Sequence, residues 1–285
     1  MGSGQGIGGA TVTPGWSLAP VTADGDGSYM LGDVANPPST PYPVSVSATG
    51  MLTRDTWINW ARGPRTGVDI DLISIAAPFS MDFYRQFVRG TYDQSGAPWP
   101  VLRLKDQPRF YVRTLDQDGK GFDTYVIPGI VDAITRAVPA FTGGRFNAAI
   151  ETGPDVRPPT AGWINVDIRH DPAAQDICGQ ARIGADPGEI TLVEDLCGCT
   201  KVPGLLVMHE VGHALGFFHV PDKNAVMYPF ISGSCPKSGV MSAAELFHAN
   251  IAYARPRGNT DPDKDPGNGA TALREQRPLV IVDRR

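Results

Sequence analysis

The sequence predicts two parts of different class, an all-β segment over residues 1–76 and an α+β segment over residues 108–256. Two observations carry this. Up to about residue 76, apolar and polar residues alternate in short runs broken by Gly and Pro, the two-residue period of half-buried strands. From Arg109 onward such runs are interleaved with longer stretches whose apolar residues recur every three or four positions, the helical period. Residues 77–107 read as a connector with one short helix, and residues 257–285 as a polar, Pro-rich tail.

In the first part, Gly9–Thr13 is a short β-prone run, and Asp24-Gly25-Asp26-Gly27 is a hairpin turn ahead of Tyr29-Met30-Leu31. Pro43–Ala48 and Val68–Ile73 both alternate, and together these runs predict a small sandwich. In the connector, Ser80 caps a helix through about Tyr92 that gathers Phe83, Tyr84 and Phe87. The second part opens with a strand at Phe110–Leu115. A helix then begins at Pro128, where a missing N–H costs nothing, with Ile130, Ile134 and Val138 as its buried stripe. Strands follow at Phe146–Glu151 and Trp163–Ile168, then a weaker pair, Ala181–Gly184 and Glu189–Val193, around Asp186-Pro187-Gly188. A helix from Pro203 to about Leu215 is rooted by Leu205–Met208, and a last helix spans about Ser242 to Ala254.

Three of the five histidines fall within His209-Glu210-Val211-Gly212-His213-Ala214-Leu215-Gly216-Phe217-Phe218-His219. His209 and His213 are four apart, so on a helix both imidazoles leave one face and can grip one metal ion. Gly216 permits the sharp turn that returns His219 as a third ligand. Three imidazoles with a fourth position left for water are the donor set of a catalytic zinc. Glu210 lies between the ligands but off their face, where it holds and deprotonates that water as general base. The competing reading, an amphipathic core helix with satisfied histidines, leaves both the glycine and the third histidine unexplained.

Eight residues after His219 comes Met227, in Ala225-Val226-Met227-Tyr228-Pro229. The pattern H-E-x-x-H-x-x-G-x-x-H followed by a methionine turn resembles the metzincin metalloproteases, and the Met-Tyr-Pro wording the matrixin branch in its bacterial, secreted form. That resemblance covers residues from about 100 to 256. It implies a zincin-like fold: a mixed twisted sheet, an active-site helix and a C-terminal helix. It makes Met227 an apolar floor beneath the imidazoles and Tyr228 and Pro229 a wall of the pocket after the scissile bond. It also implies a sheet edge that binds substrate backbone as an added strand, for which Gly179–Ala185 is the candidate. The implied activity is zinc-dependent hydrolysis of protein or peptide substrates. A second, structural zinc is not expected, because only His170 is available for it. His170 and His248 are read as surface residues.

In matrixins an upstream cysteine can block the zinc, but no cysteine precedes Cys178 here. Asp82, Asp93 and Asp106 are the aspartates that could take that part. The reading preferred is an open site. The first part, with its order G-A-T-V-T, D-G-S-Y, P-V-S-V-S-A-T-G, resembles the carboxypeptidase regulatory-like β-sandwich domains, lacking a first strand.

A formal charge of −5 and the absence of a basic cluster argue against a nucleic-acid partner, and no apolar run is long enough to span a bilayer. The expected oligomeric state is a monomer. Residues 1–6 are glycine-rich, with no signal-peptide core. They read as the start of a trimmed chain, so they do not argue for the cytoplasm. Cys178, Cys197, Cys199 and Cys235 surround the zinc motif, an even cluster that predicts two disulfides and a secreted protein. Cys197 and Cys199 are too close to pair with each other comfortably, which leaves two connectivities open. Asp261, Asp263 and Asp265 alternate as in a calcium loop. Yet Pro266 stands where glycine belongs and Ala272 where an acid should close the loop, so a solvated tail is preferred over calcium. Two rival functions remain: an inert adhesion protein using its β segment, and a zinc amidase acting on a non-protein substrate.

Overall fold

The structure, a computed structural model of the chain, describes residues 5–15, 18–32, 41–58, 67–94, 96–170, 177–194, 202, 204–230, 239–267 and 279–284. It divides into two compact units: Met1–Ser80 with Gly258–Glu275, and Met81–Arg257 with Gln276–Arg285.

The first unit contains β1 (Thr11–Pro14), β2 (Val21–Thr22), β3 (Tyr42–Ser47) and β4 (Arg54–Ile58), in one antiparallel sheet of order β2-β1-β3-β4. Alternation along β3 turns Tyr42, Val44 and Val46 inward, where they cluster with Val12. Tyr29, Leu31, Ile70 and Leu72 pack against that cluster without entering a strand. The alternation expected of strands at 29–31 and 68–73 therefore reports burial alone. Among the described residues there is one sheet, and the second layer of a sandwich is not seen.

The segment expected to be a solvated tail is partly buried here. Asp263 and Asp265 are buried, and Asn259 Nδ2 donates to both, at 3.0 and 2.9 Å. Arg54 and Thr56 on β4 also donate to Asp265, at 2.8 and 2.7 Å. The Asp265 side chain thus accepts three hydrogen bonds, one of them within an ion pair to Arg54. The Asp24–Gly27 turn forms as expected, with Gly27 N–H donating to Asp24 O and Gly27 at φ 84°.

The second unit contains α1 (Met81–Arg89), β5 (Arg109–Arg113), α2 (Val126–Thr142), β6 (Ala149–Gly153), β7 (Trp163–Arg169), β8 (Ile177–Arg182), β9 (Gly188–Val193), α3 (Gly204–Ala214), α4 (Ala243–Ala254) and β10 (Val280–Arg284). Its sheet has the order β10-β8-β9-β7-β5-β6. The strands β6, β5, β7 and β9 are parallel, whereas β8 is antiparallel to β9 and β10 antiparallel to β8. The mixed sheet with few helices is compatible with a zincin-like unit.

The predicted elements of this unit recur with small shifts. Helix α2 begins two residues before Pro128, which still falls in the first turn. Strand β8 begins at Ile177, upstream of the expected Ala181. Phe87, Phe141 and Phe217 meet between α1, α2 and the end of α3, with ring centroids 4.5 Å (Phe87–Phe217) and 5.3 Å (Phe141–Phe217) apart. This aromatic cluster anchors α3. The larger departure is β10, a sixth strand formed by residues expected to lie in the tail.

Candidate metal centre

Helix α3 carries His209 and His213 one turn apart, and it ends where Gly216 adopts φ 106°. Leu102 and Arg103 backbone atoms lie about where a side chain at 216 would go, so glycine is required both for the turn and for this close approach. The turn returns His219 to the helix face. The three Nε2 atoms converge: His213 lies 3.1 Å from both His209 and His219, and His209 lies 3.2 Å from His219. All three rings are buried.

The other ring nitrogens are committed. Nδ1–H of His209 donates to Val226 O at 2.6 Å, and Nδ1–H of His213 donates to Phe217 O at 2.8 Å. His219 Nδ1 meets Asp93 Oδ1 at 2.7 Å, and the Asp93 carboxylate also accepts from the His219 backbone N–H. With protons held at Nδ1, the Nε2 lone pairs of His209 and His213 point into one small volume, an arrangement that a cation relieves. Tetrahedral coordination at zinc–nitrogen lengths puts ligand nitrogens about 3.3 Å apart, close to the spacing found. The donor set fits zinc.

A fourth donor comes from far along the chain. Asp283, on β10, places Oδ1 2.6 Å from His219 Nε2 and 3.2 Å from His209 Nε2, and Oδ2 3.4 Å from His213 Nε2. Among the described residues, His209, His213, His219 and Asp283 form the group able to hold a metal ion, with donor atoms all within 4.8 Å of one another. Burial alone would raise the Asp283 carboxyl, but the imidazoles of His209 and His213 hold it far below the usual carboxylate range. Burial pushes His213 down to about 4, whereas His219, which burial alone would also lower, is pushed up to about 9 by its bonds to Asp283 and Asp93.

Glu210 is fully buried beside this group, with its carboxyl against that of Asp283. Burial raises it well above the ordinary glutamate range, and the facing charge of Asp283 raises it further. Its position depends on Gly179 of β8, where any Cβ would overlap Oε1. On the opposite side, Met227 is fully buried, and a Cβ at Gly212 would lie 2.5 Å from its sulfur, so Met227 backs α3 between the two helical ligands. The methionine turn is fixed by Glu245. Its Oε1 accepts from Met227 N–H at 3.0 Å, and its Oε2 accepts from Ser242 N–H in the capping box of α4. Tyr228 and Pro229 follow, both half-buried, with Phe230 exposed.

Two expectations change here. The cluster is not open, because the Asp283 carboxylate lies against all three Nε2 atoms. Of the aspartates weighed as blockers, Asp93 reaches His219 from its outer nitrogen instead and orients the ring. A strand signal in Val280-Ile281-Val282 was available to find β10, but nothing local pointed it at the histidines. His248 is buried rather than exposed, its Nδ1–H donating to Ala244 O with Phe83 4.9 Å away. His170 is exposed, as expected, and lies 3.6 Å from Glu194. Cys178 is buried, while the other three cysteines lie outside the described residues.

Residues 202–244 match the family model described as Matrixin. The match spans the histidine helix, the third histidine, the methionine turn and the start of α4. No curated protein matches the chain. Together with the three-histidine-and-aspartate cluster, the match supports a metzincin-like metalloprotease in the second unit and says nothing of the first. No helix among the described residues is long and apolar enough to cross a membrane.

Proposed function

We propose that this protein is a zinc metalloendopeptidase of matrixin-like type, with His209, His213 and His219 holding one zinc and Glu210 acting as general base. The observation that carries this reading is the convergence of three Nε2 atoms at 3.1–3.2 Å beside the fully buried carboxyl of Glu210. A buried carboxyl shifted this far from its ordinary range, next to three converging imidazoles, is what a site built for chemistry needs.

When bound, zinc polarises the scissile carbonyl and makes a coordinated water more acidic. Glu210 takes the proton of the attacking water as its oxygen bonds the carbonyl carbon. The C–N bond then breaks, and Glu210 delivers that proton to the departing amine nitrogen. Asp93 holds the His219 ring in its ligating tautomer through Nδ1. Substrate lies as an added strand along β8, whose glycine at 179 leaves room for Glu210. Tyr228 and Pro229 wall the pocket that receives the side chain after the cleaved bond. The even cluster of four cysteines, read as two disulfides, suits an oxidising, extracellular setting.

One observation favours the inert reading, since three histidines and an aspartate make a closed, four-ligand set of the structural kind. Casein cleavage decides between them, assayed on zinc-loaded chain with and without Asp283→Ala and with and without a chelator. Cleavage that the chelator and an added Glu210→Gln each abolish, with zinc still bound to Glu210→Gln, is the expected result. A zinc-loaded Asp283→Ala chain that leaves casein and a peptide library intact overturns the protease reading.

A further inference from the structure

We infer that β10 is a built-in inhibitor: the chain's own C-terminal strand occupies the substrate edge of β8 and puts Asp283 on the zinc as a fourth ligand. The inference rests on the protease reading above and goes beyond it.

The pairing is what a bound peptide would make. β10 runs antiparallel to β8, with Val280 opposite Arg182, Ile281 opposite Ala181, Val282 opposite Gln180 and Asp283 opposite Gly179. Its side chains alternate in the same sense, since Ile281 and Asp283 are buried while Val280 and Val282 are exposed. Ile183 N–H donates to Leu279 O at 2.9 Å and carries the ladder one step beyond the strand. An unpaired sheet edge accepts one added strand, so β10 and a substrate compete for the same backbone groups.

The register then brings a carboxylate to the metal. Asp283 stands opposite Gly179, the residue against which Glu210 rests, so one row across the sheet edge holds inhibitor, cleft floor and base. Its oxygens lie 2.6–3.4 Å from all three Nε2 atoms. A catalytic zinc keeps one position for water, and here a protein oxygen stands there. The three ligands and Glu210 are buried at 4 % exposure or less, which leaves a polypeptide no approach to them. Being on the same chain, the strand acts at an effective concentration of about millimolar, enough for a short segment to block the site.

The test uses the full chain loaded with zinc or with cobalt(II), comparing it with Asp283→Ala, Asp283→Asn and Ile281→Ser. The last loosens β10 without touching the metal ligands. Readouts are the visible absorption of the cobalt form, zinc affinity by chelator competition, and casein cleavage. In both Asp283 variants the cobalt bands should shift, zinc affinity should fall by about tenfold, and cleavage should rise by about tenfold or more. Ile281→Ser should raise cleavage too. Bands and affinity unchanged by losing Asp283, with all four chains cleaving at one rate, overturn the inference and leave the protease reading intact. Shifted bands with no cleavage by any chain make Asp283 a ligand of a structural site, which overturns both. If the Asp283 variants do not fold, Ile281→Ser decides alone, since an unchanged cleavage rate counts against an inhibitory strand.

Discussion

As the proposed ligands, His209 and His213 share one face because a helix repeats every 3.6 residues, and their positions follow from their spacing alone. His213→Ala should therefore lose the metal, measured as zinc per protein by elemental analysis. His170→Ala should keep it, because that exposed ring lies beside Glu194 and outside the histidine cluster. Gly179 and Gly212 matter at the same scale for what they leave out. Gly179→Val would push a side chain into the space of Glu210, so an activated chain carrying it should retain zinc yet lose cleavage. Retained cleavage would show that Glu210 can do its work from elsewhere. Gly212→Ala would drive a methyl towards Met227 Sδ and Phe141 and should cost about 1–3 kcal/mol, read from urea unfolding.

Among the elements, the methionine turn and α4 depend on one side chain. Glu245 closes the capping box with Ser242 and also accepts from Met227 N–H, so cap and turn are coupled. Glu245→Ala removes a cap worth about 1 kcal/mol and strands a buried N–H at about 1–3 kcal/mol more. A loss of about 2–4 kcal/mol is expected, with weaker zinc binding, because Val226 next to the turn orients His209. Thermal unfolding together with chelator competition checks both. The pattern Ser242-x-x-Glu245 was legible as a helix start. Its second use was not, because Met227 lies eighteen residues upstream and only the folded turn brings it there.

For the whole molecule, the two units have separate cores and separate polar anchors. Removing zinc should lower the melting temperature of the second unit's transition, since the converging Nε2 atoms then lose the cation they would share. At zinc levels a thousandfold above Kd, the bound ion is worth about 4 kcal/mol. In the first unit, Arg54 pairs with both Asp71 and Asp265. Asp265→Ala leaves Arg54 one partner and should cost that unit about 3 kcal/mol, seen as a shift of its own calorimetric transition and not of the metal-dependent one.

What could be read from the sequence was local. Helical spacing put the two histidines of α3 on one face, Gly216 marked the turn that returns His219, and the last helix was placed from about Ser242, since each depends on residues within a turn or two of one another. Tertiary structure decided what depends on sheet edges. Val280-Ile281-Val282 has the composition of a strand, but which edge a strand joins depends on where an unpaired ladder remains after the rest of the sheet has formed. That edge is β8, and joining it carries Asp283 to His219, sixty-four residues back in the chain. Asp93 reaches the same ring from a turn before β5, again by folding alone. A side chain's period is a property of its own segment, whereas its partner across a sheet is a property of the whole fold.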